Sequence, residues 1–320
     1  LTCNYSIFMP ISLSKTESAI EIFANSKAYF KNCHFYNAER TAIIIRNYSS
    51  AYFENCIFDN NKISCFIMDD SYAEFNNCKF KNDQNISIFV TKEGHSKIKN
   101  CIFQGLSGKA IFAKDSSRVY VTQTIFKECT KGAVTIAEQS YLYLDGGIEI
   151  DSPKNTAIRA INNSHIKAKN VHFKNTEGNA INMENSDGYF FHCTIDETMH
   201  PSIAVVGRKS NPVFYDCTLT NNKDTFCVIS KNGARPLFYD CSFSNCDTNC
   251  FSISDFSRPH IQKCSFSQII GYCLNIFGGS RVTKFDLNFE SQKSNQIKVY
   301  ESARCINLEL PKARKIERIE

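Results

Sequence analysis

Ser26–Phe35 reads SKAYFKNCHF, Ser49–Phe58 reads SSAYFENCIF and Ser71–Phe80 reads SYAEFNNCKF. The phrase Asn-Cys-x-Phe returns at near-constant spacing, and its cysteine anchors a walk along the whole chain. The anchors are Cys33, Cys56, Cys78, Cys101, Thr124, Ile148, Val171, Cys193, Cys217, Cys241, Cys264 and Leu287, separated by 22 to 24 residues. Two residues after every anchor stands a large apolar side chain, from Phe35 and Phe58 through Ile150 and Ile195 to Phe289. Apolar residues two apart lie on one face of a strand, here the inner one.

Each unit carries a second inward pair near its start, such as Ile43/Ile45, Phe66/Met68, Ile111/Ala113 and Ile181/Met183. A small residue precedes the pair, among them Ala42, Cys65, Ala110, Cys227, Cys250 and Cys273. A third short apolar stretch (AYF, AEF, VF) precedes the anchor. No segment sustains a 3.6-residue period, and a unit of this length has no room for two helices. Three short strands and three bends per unit describe a chain that winds once per repeat. The predicted fold is all-β: a right-handed parallel β-helix of about twelve coils over residues 19–290, each coil of ~23 residues with three strands. Residues 1–18 are expected to form an N-terminal cap or linker. Residues 291–320 are expected to form a C-terminal cap and linker, with INLEL strand-like and PKARKIERIE opening a helix toward a further domain.

The residue before each anchor supports this reading. Asn32, Asn55, Asn77, Asn100, Gly147, Asn170, His192, Asp216, Asp240 and Asp286 are types that tolerate a left-handed backbone. Such a residue bends the strand so that Phe30 and Cys33, three apart, both face inward. Stacked from coil to coil, the asparagines should form a ladder.

The repeat also accounts for the 16 cysteines. Eight fall in the anchor row and four in the small-residue row, where Cys serves as a small buried hydrophobe. Side chains stacked in parallel do not converge as a disulfide requires. Cys3, Cys129, Cys246 and Cys305 fall off this register. Cys246 and Cys250 form a Cys-x3-Cys spacing without a second pair, which argues against zinc. No metal and no cofactor is expected, and abundant free thiols point to a reducing, cytoplasmic setting rather than a secreted or cell-surface one.

These repeats resemble the right-handed β-helix coils of the pectate-lyase-like superfamily. The short form NCxF…AIxI most resembles its non-catalytic branch, found in F-box-type ubiquitin ligase subunits and bacterial β-helix repeat proteins. The resemblance implies the fold and leaves the activity open, because one scaffold carries lyases, hydrolases and binding modules.

Composition excludes several classes. A net charge of +5, spread along the chain, is too weak for a nucleic-acid footprint. No apolar run approaches the ~18 residues of a membrane span. The opening LTCNYSIFMP lacks the basic start and apolar core of a signal peptide, and the chain reads as part of a larger intracellular protein.

In catalytic relatives of the fold, the resemblance implies, chemistry sits on the outer face of the first sheet. The row expected there is Glu21, Ile44, Ile67, Phe89, Phe112, Thr135, Arg159, Asn182, Val205, Ile229, Ser252 and Asn275. It holds one carboxylate, too few for acid–base work, and no catalytic residue is assigned. Ile44, Ile67, Phe89 and Phe112 instead make an outward apolar stripe, with Arg159 further along. The stripe would meet a protein partner, another domain of the same polypeptide, or a second copy through self-association. Arg208, Arg235 and Arg258 recur before the third strand and could face an acidic partner. Asp216 and Asp240 stack as a potential acid pair, or serve as bend residues. The expected function is a non-catalytic protein-interaction module with a regulatory or targeting role. The alternative is a carbohydrate-active or carbohydrate-binding β-helix, and a structural fibre element is a third reading.

Overall fold

The computed structural model describes residues 2–4, 7–8, 19–223, 225–290, 296–300, 302–306 and 316–319. No helix occurs among them, and every strand pairing recorded there is parallel. The chain is a β-solenoid whose coils divide into two compact units, Leu1–Asn155 and Thr156–Glu320.

In the first unit each coil runs through a first strand such as Thr41–Ile45, a second such as Ser50–Glu54 and a third such as Ile57–Asp59. Like strands stack in register: Phe30 pairs with Phe53, Phe35 with Phe58 and Ile43 with Cys65. The core consists of single-residue columns. Phe58, Phe80 and Phe103 are fully buried and stack with ring centroids 4.6 and 4.5 Å apart. The second unit repeats the plan, with Phe190, Phe214 and Phe238 stacked at 4.8 and 4.9 Å.

All twelve residues that precede an anchor have positive φ, from Asn32 at 54° to Asp286 at 52°, including Gln123 and Lys263. The left-handed bend is therefore a demand of the coil, and Asn is the side chain that meets it with least strain. In the first unit the expected ladder is present. Asn55 Nδ2 donates to Asn32 Oδ1 at 3.3 Å, Asn77 to Asn55 at 3.2 Å and Asn100 to Asn77 at 2.6 Å. Two further left-handed bends recur per coil, for example Asn60 after the third strand and Asp69–Asp70 after the first.

Inside the second bend the buried Ser49 and Ser71 form a hydroxyl column. Ser26 N donates to Ser49 Oγ and Ser49 N to Ser71 Oγ, both at 3.1 Å.

The fifteen described cysteines are free, and all but Cys3 are buried. Anchor thiols donate to backbone carbonyls of their own and the preceding coil: Cys56 Sγ reaches Glu54 O and Phe30 O, both at 3.4 Å. Thr124 occupies the same column and bonds Thr122 O at 2.8 Å, so a hydroxyl satisfies the position equally.

Four expectations need correction. Ile67 faces inward and is 0% exposed; Phe66 takes the outward place, in register with Ile44 and Phe89. The coil from Cys56 to Cys78 is a residue short, and the loss falls at the corner between third and first strands. Asn61 and the facing Ser64 are three apart, where Asp83 and the equivalent Ser87 are four apart. Everything after that corner arrives one residue early, so Cys65 joins the inward row beside Ile43 and Ile88. Val205 is likewise inward, and Ala204 pairs with Asn182 and Ile229 on the outer row. Cys129 and Cys246 are not off-register: both are buried in the corner column, with Cys246 pairing with Asn222 and Ile269. Finally, Ile316–Ile319 is a strand paired with Ile297–Tyr300, where a helix was expected. A four-residue strand that meets an open sheet edge gains a ladder of hydrogen bonds that an isolated helical turn lacks. Residues 307–310 of INLEL lie outside the described residues. At the other end, Thr2–Asn4 pairs with Lys27–Lys31.

Candidate functional site

The outer face of the first sheet in the Leu1–Asn155 unit carries the apolar stripe in corrected form: Ile44, Phe66, Phe89 and Phe112, all half-exposed. Phe66 and Phe89 stack with centroids 4.7 Å apart and planes 2° from parallel; Phe89 and Phe112 follow at 5.2 Å and 9°. The parallel ladder sets this spacing by holding equivalent Cα atoms one strand apart. Ring stacking partly shields each face, yet the outer edges remain open to solvent. Ile63, Ile86 and Met68, also half-exposed, flank the rings and widen the stripe to a patch. Sequence reading missed Ile63 and Ile86 because it tracked only one outward residue per strand, and it placed Met68 inside through the same register slip. Lys109 Nζ caps the patch 5.1 Å from the Phe112 centroid. At the other end Glu21 and Arg46 form an ion pair.

Arg159 lies in the second unit and pairs with Glu184 at 3.2 Å. It is a charged, satisfied surface residue, not an extension of the aromatic row.

The arginines form a longer column than expected. Arg235, Arg258, Arg281 and Arg304 are exposed on consecutive coils, and their backbone N–H groups donate to Ser210, Ala234, Ser257 and Ser280 O at 2.8–2.9 Å. Arg281 and Arg304 lack the following proline that marks Arg235 and Arg258, which is why the motif did not reveal them. Arg208 stands in the adjoining turn, packed over Gly233, where an added Cβ would come within 2.7 Å of its Cγ. Arg208, Gly233, Arg235, Phe256 and Arg258 line a shallow depression of about 280 Å³.

Asp216 and Asp240 are bend residues at φ 48° and 53°. Asp216 is exposed and pairs with His192 Nδ1 at 2.8 Å, so its carboxylate is engaged along the bend column. Asp196 accepts hydrogen bonds from Thr220 and Asn221, both at 2.7 Å, and these hold its carboxyl below the usual range against the opposing effect of burial. These contacts are structural.

A second depression, about 430 Å³, lies at the N-terminal coils among Tyr29, Tyr52, Lys31, Glu54, Glu74 and Asn76. Tyr29 and Tyr52 stack at 4.9 Å, and Lys31 pairs with Glu54 at 3.1 Å. Buried ligating groups gather elsewhere: the sulfurs of Cys227, Cys246 and Cys250 all lie within 4.8 Å of one another.

No curated protein matches the chain. Among solved structures it is similar to the Agl-KA catalytic domain (11% identity, TM-score 0.41), covering 87% of this chain and 62% of that one. The chain thus spans less than two thirds of that domain. It is also similar to the tailspike protein of E. coli bacteriophage HK620 in complex with pentasaccharide (9% identity, TM-score 0.35), covering 89% of this chain and 67% of that one. Neither similarity carries over an activity or a ligand. The model of the right handed beta helix region matches residues 13–151 and 156–310, and with its parallel coils and recurring left-handed bends the chain belongs to that family.

Proposed function

We propose that this chain is a non-catalytic β-solenoid module that binds a partner protein along the outer face of its first sheet. The observation that supports this reading is the stacked row Phe66, Phe89 and Phe112 with Ile44, Ile63 and Ile86 beside it. Contiguous half-exposed apolar surface of this kind marks contact sites on soluble proteins, and aromatic residues anchor interfaces. The fitting partner lays a line of apolar side chains along the coil axis, one per ~4.8 Å rung. The module would act as the regulatory or targeting part of a larger protein in a reducing, cytoplasmic setting. Stacked buried thiols suit that compartment.

The test replaces Phe89 with a photo-crosslinking phenylalanine analogue in the native host, and Arg159 likewise as a control surface. A discrete adduct from position 89 that is absent from position 159 and abolished by Phe66→Asp supports the reading. Equal labelling at both positions, or none at 89, overturns it. An adduct between two copies of the chain assigns the patch to self-association.

The depression around Tyr29 and Tyr52 favours a second reading, carbohydrate binding, because it combines aromatic faces with the carboxylates of Glu54 and Glu74. Binding of neutral or acidic oligosaccharides that is lost in Tyr52→Ala, measured by calorimetry, would move the function to that site.

A further inference from the structure

We propose that Cys227, Cys246 and Cys250 bind one thiophilic divalent metal ion, zinc being the ion of that class a cell supplies. The Cys-x3-Cys spacing of Cys246 and Cys250 offered no second pair along the chain. The coil supplies the third ligand from the preceding rung.

Ser202, Cys227, Cys250 and Cys273 form one column, each directly before residues paired in register: Ile203 with Val228, Val228 with Phe251 and Phe251 with Leu274. Cys246 belongs to the corner column that faces it. The three residues are 0% exposed. Cys227 Sγ lies 3.0 Å from Cys246 Sγ, and all three sulfurs are within 4.8 Å of one another. An ion with tetrahedral bonds of about 2.3 Å holds its sulfurs roughly 3.8 Å apart, so each edge of the triangle needs to move by no more than about 1 Å.

The anchor cysteines are different. They stand in single file and donate to carbonyls, as Cys217 does to Phe190 O at 3.5 Å and Tyr215 O at 3.4 Å. A single file cannot surround an ion. At this corner two cysteine-bearing columns face each other, so that a third sulfur enters from the side.

A second observation points the same way. Asn222, in register with Cys246 on the preceding coil, is 0% exposed, and its Oδ1 has no hydrogen-bond partner. Its Nδ2 is fully engaged, donating to Thr198 Oγ1 at 2.5 Å and to Ser202 Oγ and His200 O at 3.2 Å. A buried amide oxygen without a donor costs folding free energy, and a cation supplies the missing partner. Three thiolates with an oxygen in the fourth position, from Asn222 or a water molecule, make a tetrahedral set suited to zinc. Sulfur ligands exclude magnesium and calcium as the fit. A divalent ion leaves the buried cluster at one net negative charge, and a monovalent ion would leave two, which burial disfavours.

The site is buried, so the ion is expected to enter during folding. The chain is unfolded under reductant, refolded with zinc(II) or cadmium(II), dialysed, and assayed for metal per chain. Wild type and Cys264→Ser, a buried thiol outside the cluster, should each retain one ion. Cys246→Ser and Cys250→Ser should lose it, with circular dichroism showing the sheet signal intact. X-ray absorption of zinc-loaded wild type should show three sulfur neighbours and one lighter atom, a readout that stands even if a variant fails to fold. Wild type that retains no ion after refolding, undiminished retention in Cys246→Ser, or a zinc shell of nitrogen and oxygen alone would overturn the proposal.

Discussion

Asparagine before the anchor serves two ends: it accepts a left-handed backbone, and its amide bonds the same residue on the next coil. Asn77 does both, accepting from Asn100 and donating to Asn55. Asn77→Val places a β-branched residue at φ 55° and breaks two amide contacts, and should cost about 2 kcal/mol by denaturant unfolding. Asn77→Gly keeps the backbone and should cost less than half of that. Asp83 gives a pH prediction. Its carboxyl is buried among Asn61 N (2.9 Å) and Ser64 Oγ (2.7 Å), and burial pushes it up to about 6 despite those bonds. In the unfolded chain an aspartate titrates near ~3.9. Below that value both states are protonated. As pH rises toward 6 the unfolded chain loses its proton first, so stability falls, by roughly 2–3 kcal/mol once pH exceeds 6. Asp83→Asn removes this fall. The variant's unfolding free energy relative to wild type should therefore improve between pH 4 and pH 7, whereas a constant difference would show that the carboxyl is solvated.

At the scale of the strand, the unit of stability is the column. Phe80 lies between Phe58 and Phe103, with no solvent exposure. Phe80→Ala should cost about 3–5 kcal/mol, since rigid neighbouring coils cannot collapse into the space. Phe289 is the last described residue of its column and is only half-buried, so its truncation should cost markedly less by the same measurement. The arginine column behaves oppositely. Like charges stacked on neighbouring coils repel, so Arg258→Gln should raise the melting temperature at low ionic strength. The gain should vanish in high salt, where the Debye length falls below the rung spacing.

Across the whole chain, each coil touches mainly its neighbours, so stability is close to a sum of coil and interface contributions. Thiol reactivity reports on the entire repeat at once. Unfolded protein should titrate 16 thiols. Native protein should show no more than two fast thiols: Cys3, which is half-exposed, and Cys305, whose side chain lies outside the described residues. A larger fast class would mean that the columns open.

The repeat, the three-strand coil and the bend before each anchor were legible from residues alone, because spacing along the chain and backbone tolerance are local properties. Asp216 and Asp240 could be read as bend residues for the same reason. The outward identity of Phe66 rather than Ile67 was not legible. It depends on which corner absorbs a missing residue, and a strand's period of two turns one slipped residue into an exchange of faces. The four-arginine column and the meeting of Cys227 with Cys246 and Cys250 were likewise decided in three dimensions. Residues 19 and 23 positions apart become neighbours only once the coils stack and the corner turns one column to face another.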